Sequence, residues 1–367
     1  MKRIGLCLIV KNESHVILRC LNSVKILIDY VLVSDTGSTD GTQDIVRNWI
    51  SNNNIPGEVI QNEWVDFSHN RTIALSKLRK VDHIDYALMI DADEILIFDD
   101  GFDPIEFKSN LVHDIYNVST ILGGIIYPRP QITSNKKDLR YEGVVHEFLA
   151  MEGTSGLATG FKNHPLQDSE RNKSGPEKYR KDASLLENAL LDPELNEYMR
   201  SRYTFYLAQS YRDCGEIDLA IKNYKIRSSQ GFWREEEFVS LYNIAKIKNE
   251  SSTPKEEVLQ DFYKSFEHSP HRVEPLYWIM QICRLHGWNQ QGYMVGKIAL
   301  NKLNPHMDGL FIEKWIYDYG ILDEFSVCSF YSGHGEESRE ICLRLLSENK
   351  MPDFYISRIK NNLNFCG

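Results

Sequence analysis

Tyr86-Ala87-Leu88-Met89-Ile90-Asp91-Ala92-Asp93-Glu94 runs a short apolar stretch directly into a cluster of acids. A run of this kind reads as a buried strand, and open α/β sheets take their ligands just beyond the carboxyl ends of such strands. If the chain stays extended past Ile90, residues two apart face the same way, so Asp91 and Asp93 could both reach one divalent cation. The same acids also read as a solvated loop capping the next element, with Ile95, Leu96 and Ile97 buried behind it. A bare Asp-x-Asp is too short to choose between these readings.

Working outward, apolar runs at 4–10, 31–34, 58–61 and 87–90 read as strands, and the segments 15–27, 42–51 and 69–80 as helices. Strands alternating with crossover helices predict a mostly parallel sheet. After the second strand, Asp35-Thr36-Gly37-Ser38-Thr39-Asp40-Gly41-Thr42 reads as a tight turn opening a helix, with Asp40 and Gln43 spaced as a capping box. Turn and cap chemistry accounts for Gly37 and Asp40 but leaves Asp35, at the strand tip, able to accept hydrogen bonds from a base or ribose. Asp66 or Ser68 caps the helix that follows, and Arg71 falls in its first turn. A cation there opposes the helix dipole, so Arg71 faces either an anionic partner such as a diphosphate or a salt-bridging acid.

Further along, Arg140-Tyr141-Glu142-Gly143-Val144-Val145-His146-Glu147 puts an adjacent His and Glu on an expected short strand. Strand neighbours point opposite ways, which leaves Glu147 as candidate general base and His146 to orient or contact substrate. No second His follows at the spacing of HExxH, so zinc proteolysis is excluded. His164, in an expected loop, is a candidate third ligand to the cation, or a plain hydrogen-bonded histidine.

Composition shifts around residues 162–176 to His, Pro, Asn, Ser and Gly, which places an expected boundary after residue 165. From 166 to 367 the helical period dominates. Phe205–Gly215 is echoed 72 residues later, and Tyr206, Tyr242 and Trp278 recur every 36 residues, close to the tetratricopeptide period of about 34. An irregular helical bundle is the alternative.

The 367 residues are 42% hydrophobic, enough for a sizeable core, and carry a net charge of −10, which disfavours nucleic acid and anionic membrane as partners. The 7 cysteines are scattered without a CxxC pair. No uncharged apolar run approaches the roughly 20 residues of a membrane-spanning helix, and the first apolar run is too short for a signal peptide. A cytoplasmic protein is expected.

Taken together, Leu8-Ile9-Val10-Lys11-Asn12-Glu13, the 35–40 turn, Asp66-Phe67-Ser68, the 91–94 acids and Tyr141-Glu142-Gly143-Val144-Val145-His146-Glu147 resemble, in order and spacing, the family 2 glycosyltransferases of the GT-A fold. Within that family the chain resembles the branch with a tetratricopeptide-like helical tail. The resemblance implies an α/β GT-A domain over 1–165 and an all-α TPR-like domain over 166–367. It also implies a nucleotide-sugar donor such as a UDP-sugar, a Mn²⁺ or Mg²⁺ ion, and inverting transfer to a hydroxyl of a glycan, protein or peptide acceptor. Carried over by position, Lys11, Asn12, Glu13 and Asp35 line the nucleoside pocket and Arg71 approaches the donor. Asp91 and Ala92 lie at the ribose or metal shell, Asp93 is the principal metal ligand, and Glu147 stands near the acceptor. Glu94 takes no part in the chemistry.

Two departures stand out. Thr72 follows Arg71 where the family commonly has Asn, and Tyr127-Pro128-Arg129-Pro130 replaces an Arg-rich strand, its prolines removing two amide donors. The helical half is the expected place for acceptor recognition or for homodimer formation. Three other readings stand beside this one. A nucleotidyltransferase would carry a Gly-rich basic loop that Lys11-Asn12-Glu13 lacks, an inactive binding protein would use only its helical repeat, and a purely structural helical scaffold would leave the first 165 residues unexplained.

Overall fold

The computed structural model describes residues 1–122, 125–150, 153–304 and 309–366. The chain forms two compact units, Met1–Met199 with Asp213–Gly215, and Arg200–Arg212 with Glu216–Gly367. Composition changes character after residue 165, whereas by compactness the helix Pro176–Leu190 goes with the first unit.

The first unit is built on an eight-stranded sheet of order β3-β2-β1-β4-β7-β6-β10-β5. Its strands are β1 (Ile4–Val10), β2 (Tyr30–Asp35), β3 (Gly57–Gln61), β4 (Tyr86–Met89), β5 (Glu94–Phe98), β6 (Ile115–Leu122), β7 (Ile125–Ser134) and β10 (Ser155–Pro165). β8 (Arg140–Glu142) and β9 (Phe148–Ala150) pair separately as an antiparallel hairpin. β3, β2, β1 and β4 run parallel, as the alternating pattern predicts. β7 then enters antiparallel between β4 and β6, and β5 closes the far edge antiparallel to β10. The sheet is therefore mixed, with its parallel half matching the mononucleotide-binding arrangement of doubly wound folds.

The crossover helices α1 (Ile17–Val24), α2 (Thr42–Asn53) and α3 (Phe67–Leu78) fall where the sequence places helices. Val16, Ile17, Cys20, Leu21 and Val24, with Val46 and Trp49, bury against one face through Leu6, Leu8, Val31 and Val33. Ala74, Leu75 and Leu78 of α3 cover the other face through Cys7, Leu32, Ala87 and Met89. β1 is apolar along its whole length because both faces are covered. Gly5 allows the close crossing of α3, since a Cβ there would sit 2.8 Å from Leu78 Cδ1.

In the second unit, α4 (Ile217–Arg227), α5 (Arg234–Asn249), α6 (Lys255–His268), α7 (Glu274–Leu285), α8 (Asn289–Leu300), α9 (Ile321–Tyr331) and α10 (Gly335–Glu348) pack successively, in tetratricopeptide-like fashion. Gly287 and Gly333, at φ +72° and +85°, end α7 and α9 in the left-handed conformation that lets the chain turn into the next helix. The 36-residue spacing is a contact as well as a pattern, because Trp278 Nε1 donates to Tyr242 Oη at 2.6 Å. Among the described residues no helix is long and apolar enough to cross a membrane, and no disulfide joins the cysteines.

Candidate active site

The carboxyl ends of β1, β2 and β4 lie side by side and carry three of the five motifs. After β1 the chain turns through Asn12, at φ +58°, and the turn is tied to the loop after β2. Asn12 N donates to Ser38 Oγ at 2.8 Å, Thr39 N to Asn12 Oδ1 at 2.8 Å, Glu13 N to Thr42 Oγ1 at 2.9 Å, and Ser14 N to Asp40 Oδ2 at 2.9 Å. The expected capping box is not formed: the N-cap is Gly41, in the left-handed region, and Gln43 Nε2 turns away to Asp35 at 3.0 Å. Asp40 instead clamps Thr42 and Ser14. Burial pushes its carboxyl up, but those bonds outweigh burial and hold it well below the usual range.

Asp35 is fully buried. Its Oδ1 accepts from Gly37 N and Ser38 N, both at 2.9 Å, whereas its Oδ2 is buried without a partner. A buried carboxylate oxygen left unpaired costs about 1–3 kcal/mol or more. A ligand N–H or O–H arriving there would remove that cost. Lys11 is exposed beside this turn.

Past β4 the chain does not stay extended. Ala92 and Asp93 form a turn, with Glu94 N donating to Asp91 O at 3.1 Å, so the two aspartates engage different partners. Asp91 faces two guanidinium groups, Arg71 Nη2 at 2.5 Å and Arg129 Nη2 at 3.5 Å. Burial raises its carboxyl, but these two cations overcome that and bring it below its ordinary value. Asp93 Oδ2 accepts from Ser169 N at 3.3 Å and Asn172 Nδ2 at 3.2 Å. Ala92 is a core residue, only 4% exposed, and its side chain packs with the hydrophobic cluster.

Arg71 is buried, and the choice left open by sequence falls on acids: besides Asp91, its Nε donates to Glu147 Oε1 at 2.6 Å. Asp66 is the N-cap of α3, accepting from His69 N at 2.7 Å. Glu147 and His146 are not on a strand but in the turn joining β8 to β9, where Gly143 and His146 take φ of +110° and +51°. His146 is exposed and Glu147 points inward to Arg71. Thr72, where the family motif is broken, has a job here: its Oγ1 accepts Tyr141 N at 2.9 Å and pins the hairpin to α3. His164 lies on β10 rather than in a loop, and its Nδ1 contacts Ile121 O at 3.1 Å.

Sequence reasoning missed Glu13's electrostatics and the pair Glu94–Arg129. Glu13 is pushed up to about 7, chiefly by burial, with the nearby Asp93 charge adding and the Glu170 amide opposing. Glu94, 2% exposed, holds Arg129 with two bonds of 2.5 and 3.1 Å and accepts Asp91 N at 3.0 Å. The only sequence signal for this pair was Arg129 between two prolines.

Glu13 gives a pH dependence. The unfolded carboxyl gives up its proton near 4.5 and the folded one near 7, so between these values the folded state binds more protons and stability falls as pH rises. Glu13→Gln in EDTA is expected to flatten this decline and to be the more stable protein at pH 8 by about 1–3 kcal/mol. Denaturant midpoints from pH 4 to 8 that decline in parallel for both proteins would rule this out.

Which residues suit a divalent cation follows from their oxygens. Asp91 has both engaged by guanidinium groups, whereas Asp93 keeps Oδ1 unbonded by any described residue. Among the described residues no three of His, Cys, Asp and Glu form a metal-holding group. Asp93 could offer one carboxylate oxygen to a divalent cation, which at diphosphates commonly takes one or two carboxylates alongside phosphate oxygens.

Residues 6–101 match the model of the family described as glycosyl transferase family 2. The chain is 38% identical over 96 residues to an uncharacterized glycosyltransferase of Rickettsia prowazekii, covering 26% of this chain and 30% of that one. It is 29% identical over 154 residues to a TPR repeat-containing protein of Synechococcus elongatus, covering 41% of this chain and 36% of that one. The matches span about a third of these relatives' length. Among solved structures, S. aureus TarS 1-349 in complex with UDP-GlcNAc is 13% identical, covers 90% of this chain and 92% of its own, and superposes with a TM-score of 0.36, too loosely to carry function across. The stretch 6–101 is thus similar to glycosyl transferase family 2, and a TPR-like helical unit follows it in the same chain.

Proposed function

We propose that the chain transfers a sugar from a nucleotide-diphosphate donor, a UDP-sugar, to an acceptor hydroxyl with inversion of configuration. The observation that carries this reading is the buried, unpaired Asp35 Oδ2 at the tip of β2, inside the family-matched stretch. It is an acceptor waiting for a donor group, at the strand ends where such sheets bind nucleotides. Asn12 and Glu13 frame it, and Lys11 stands outside as a cation for phosphate. Asp93 is the metal ligand, with Mn²⁺ or Mg²⁺ offsetting the charge that develops on the diphosphate leaving group. His164 is a weaker candidate for that shell, since one ring nitrogen is already engaged by Ile121 O. Glu147 takes the proton from the attacking hydroxyl as the glycosidic bond to the diphosphate breaks, which is the single displacement that inverts the anomeric centre. His146, exposed on the same turn, is placed to meet an acceptor. Acceptor recognition, of a glycan or a peptide, falls to the helical unit, whose stacked pairs give an extended surface.

The test is a panel of nucleotide sugars with Mn²⁺, read by nucleotide release and by isothermal titration. Binding of one donor, with hydrolysis or transfer that EDTA suppresses, is expected. With Asp93 as the principal protein ligand, Mn²⁺ should bind tightly only when the nucleotide is present, and Asp93→Ala should abolish the metal stimulation in a protein that still folds. No binding with any donor would overturn the reading. Metal-stimulated turnover by Asp93→Ala would remove Asp93 from it.

A further inference from the structure

Five side chains of the first unit form one line of alternating charge, Glu94–Arg129–Asp91–Arg71–Glu147. The successive closest approaches are 2.5, 3.5, 2.5 and 2.6 Å. The line begins in the sheet core, passes the turn after β4 and ends in the β8–β9 turn. It connects the acid at the donor side to the candidate base. Its inner end is fixed in three ways. Glu94 is 2% exposed and meets Arg129 with both oxygens, a two-pronged arrangement that fixes direction as well as distance. The same carboxylate accepts Asp91 N at 3.0 Å, so it holds the backbone of Asp91 while Arg129 faces its side chain. Finally, Arg129 sits between Pro128 and Pro130, whose rings restrict the backbone around it.

The prolines are tolerated for a reason visible in the register. β4 pairs with β7 only opposite Ile132, Thr133 and Ser134, so beside Pro128 and Pro130 that side of β7 has no β4 partner. Toward β6, Pro128 lies opposite Ser119, Arg129 opposite Val118 and Pro130 opposite Asn117. On the β4 side, then, the missing amide donors cost no ladder bond. A stiff strand segment delivers one guanidinium to one place.

We propose that Arg129, seated by Glu94, is a positioning residue: it sets the orientation of the Asp91 carboxylate and, through Asp91 and Arg71, the placement of Glu147. This rests on the glycosyltransferase reading, in which Asp91 and Glu147 belong to the reacting site. Arg129 acts through them, and its removal leaves Asp91 to swing toward Arg71 alone. Displacements of about 1 Å at a reacting centre cost up to about 100-fold in rate.

The experiment compares Arg129→Met, Arg129→Lys and Glu94→Gln in the full chain, with kcat, donor KM and unfolding midpoint measured for each. Arg129→Met is expected to lower kcat by about 10- to 100-fold with donor KM little changed. Arg129→Lys restores the charge without the fork, so it should recover the unfolding midpoint but only a minor part of kcat. A purely structural role would make kcat follow the midpoint through the series. Wild-type kcat in a folded Arg129→Lys, or a loss confined to KM, overturns the proposal. If Arg129→Met does not fold, Arg129→Lys decides alone on the same two outcomes. A wild-type protein that turns over no donor overturns the functional reading and this proposal with it, whereas a working wild type with an unaffected Arg129→Lys overturns this proposal only.

Discussion

Glu147→Gln is expected to lower sugar transfer by about 10²- to 10⁴-fold, the range that a positioned general base contributes, and to leave nucleotide affinity unchanged. The substitution is close to a pure removal of basicity. Gln keeps the length of Glu and an Oε1 that can accept the Arg71 Nε hydrogen bond, now 2.6 Å long. It also keeps the shape of a turn in which Gly143, at φ +110°, lies within 3.3 Å of the Glu147 backbone if given a Cβ. What it loses is the ability to take a proton. The proposed nucleoside end of the site, Asn12, Glu13 and Asp35, comes from loops after β1 and β2 that are tied to each other, so donor binding has no reason to follow. Steady-state kinetics and titration of the nucleotide check both halves. Transfer at the wild-type rate would exclude Glu147 as the base, and a parallel loss of nucleotide affinity would show that the variant had disturbed more than the proton transfer.

The parallel half of the sheet was legible because each of its elements announces itself locally. β1 to β4 are short apolar runs and α1 to α3 have apolar spacing that ends at turn formers, so the expected ranges and the observed ones differ by only a few residues at their ends. β5 to β10 were not legible in the same way. Their strand character depends on partners: β7 is a strand despite two prolines because β6 accepts it and β4 has withdrawn. The site divides along the same line. Asp35 was readable as the residue left over once the turn chemistry after β2 was accounted for, but its Oδ1 serves that turn and only Oδ2 is left over. The turn at Ala92-Asp93 was not readable, since an extended acidic stretch and a turned one have the same sequence. Nor was the destination of Arg71, whose two partners lie 20 and 76 residues away. A cation in the first turn of a helix says only that some anion compensates it. Which anion is a tertiary fact.

Arg71→Met is expected to destabilise the N-terminal unit by about 3 kcal/mol, at the low end of the 3–5 kcal/mol typical when one partner of a buried ion pair is removed. The guanidinium side chain is 8% exposed and separates Asp91 from Glu147. Methionine fills much of the volume, so the cost comes from the two carboxylates left without their shared cation. They do not lose equally. Asp91 is 35% exposed and retains Arg129, whereas Glu147, at 13%, pairs with Arg71. Most of the penalty should therefore sit on Glu147. Adding Glu147→Gln to Arg71→Met is expected to restore the greater part of the lost stability, and adding Asp91→Asn to restore little, a non-additivity that denaturant unfolding of the single and double variants measures directly. Equal recovery from the two acids would mean that Asp91 depends on Arg71 as much as Glu147 does. A loss below about 1 kcal/mol for Arg71→Met would place the pair among solvent-screened surface bridges, against its burial. Activity then separates holding from chemistry: if the stabilised double variant with Asp91 intact binds nucleotide as tightly as the wild type, Arg71 serves to hold the acids in place, and if binding stays weak, the same guanidinium also meets the donor once Asp91 yields it.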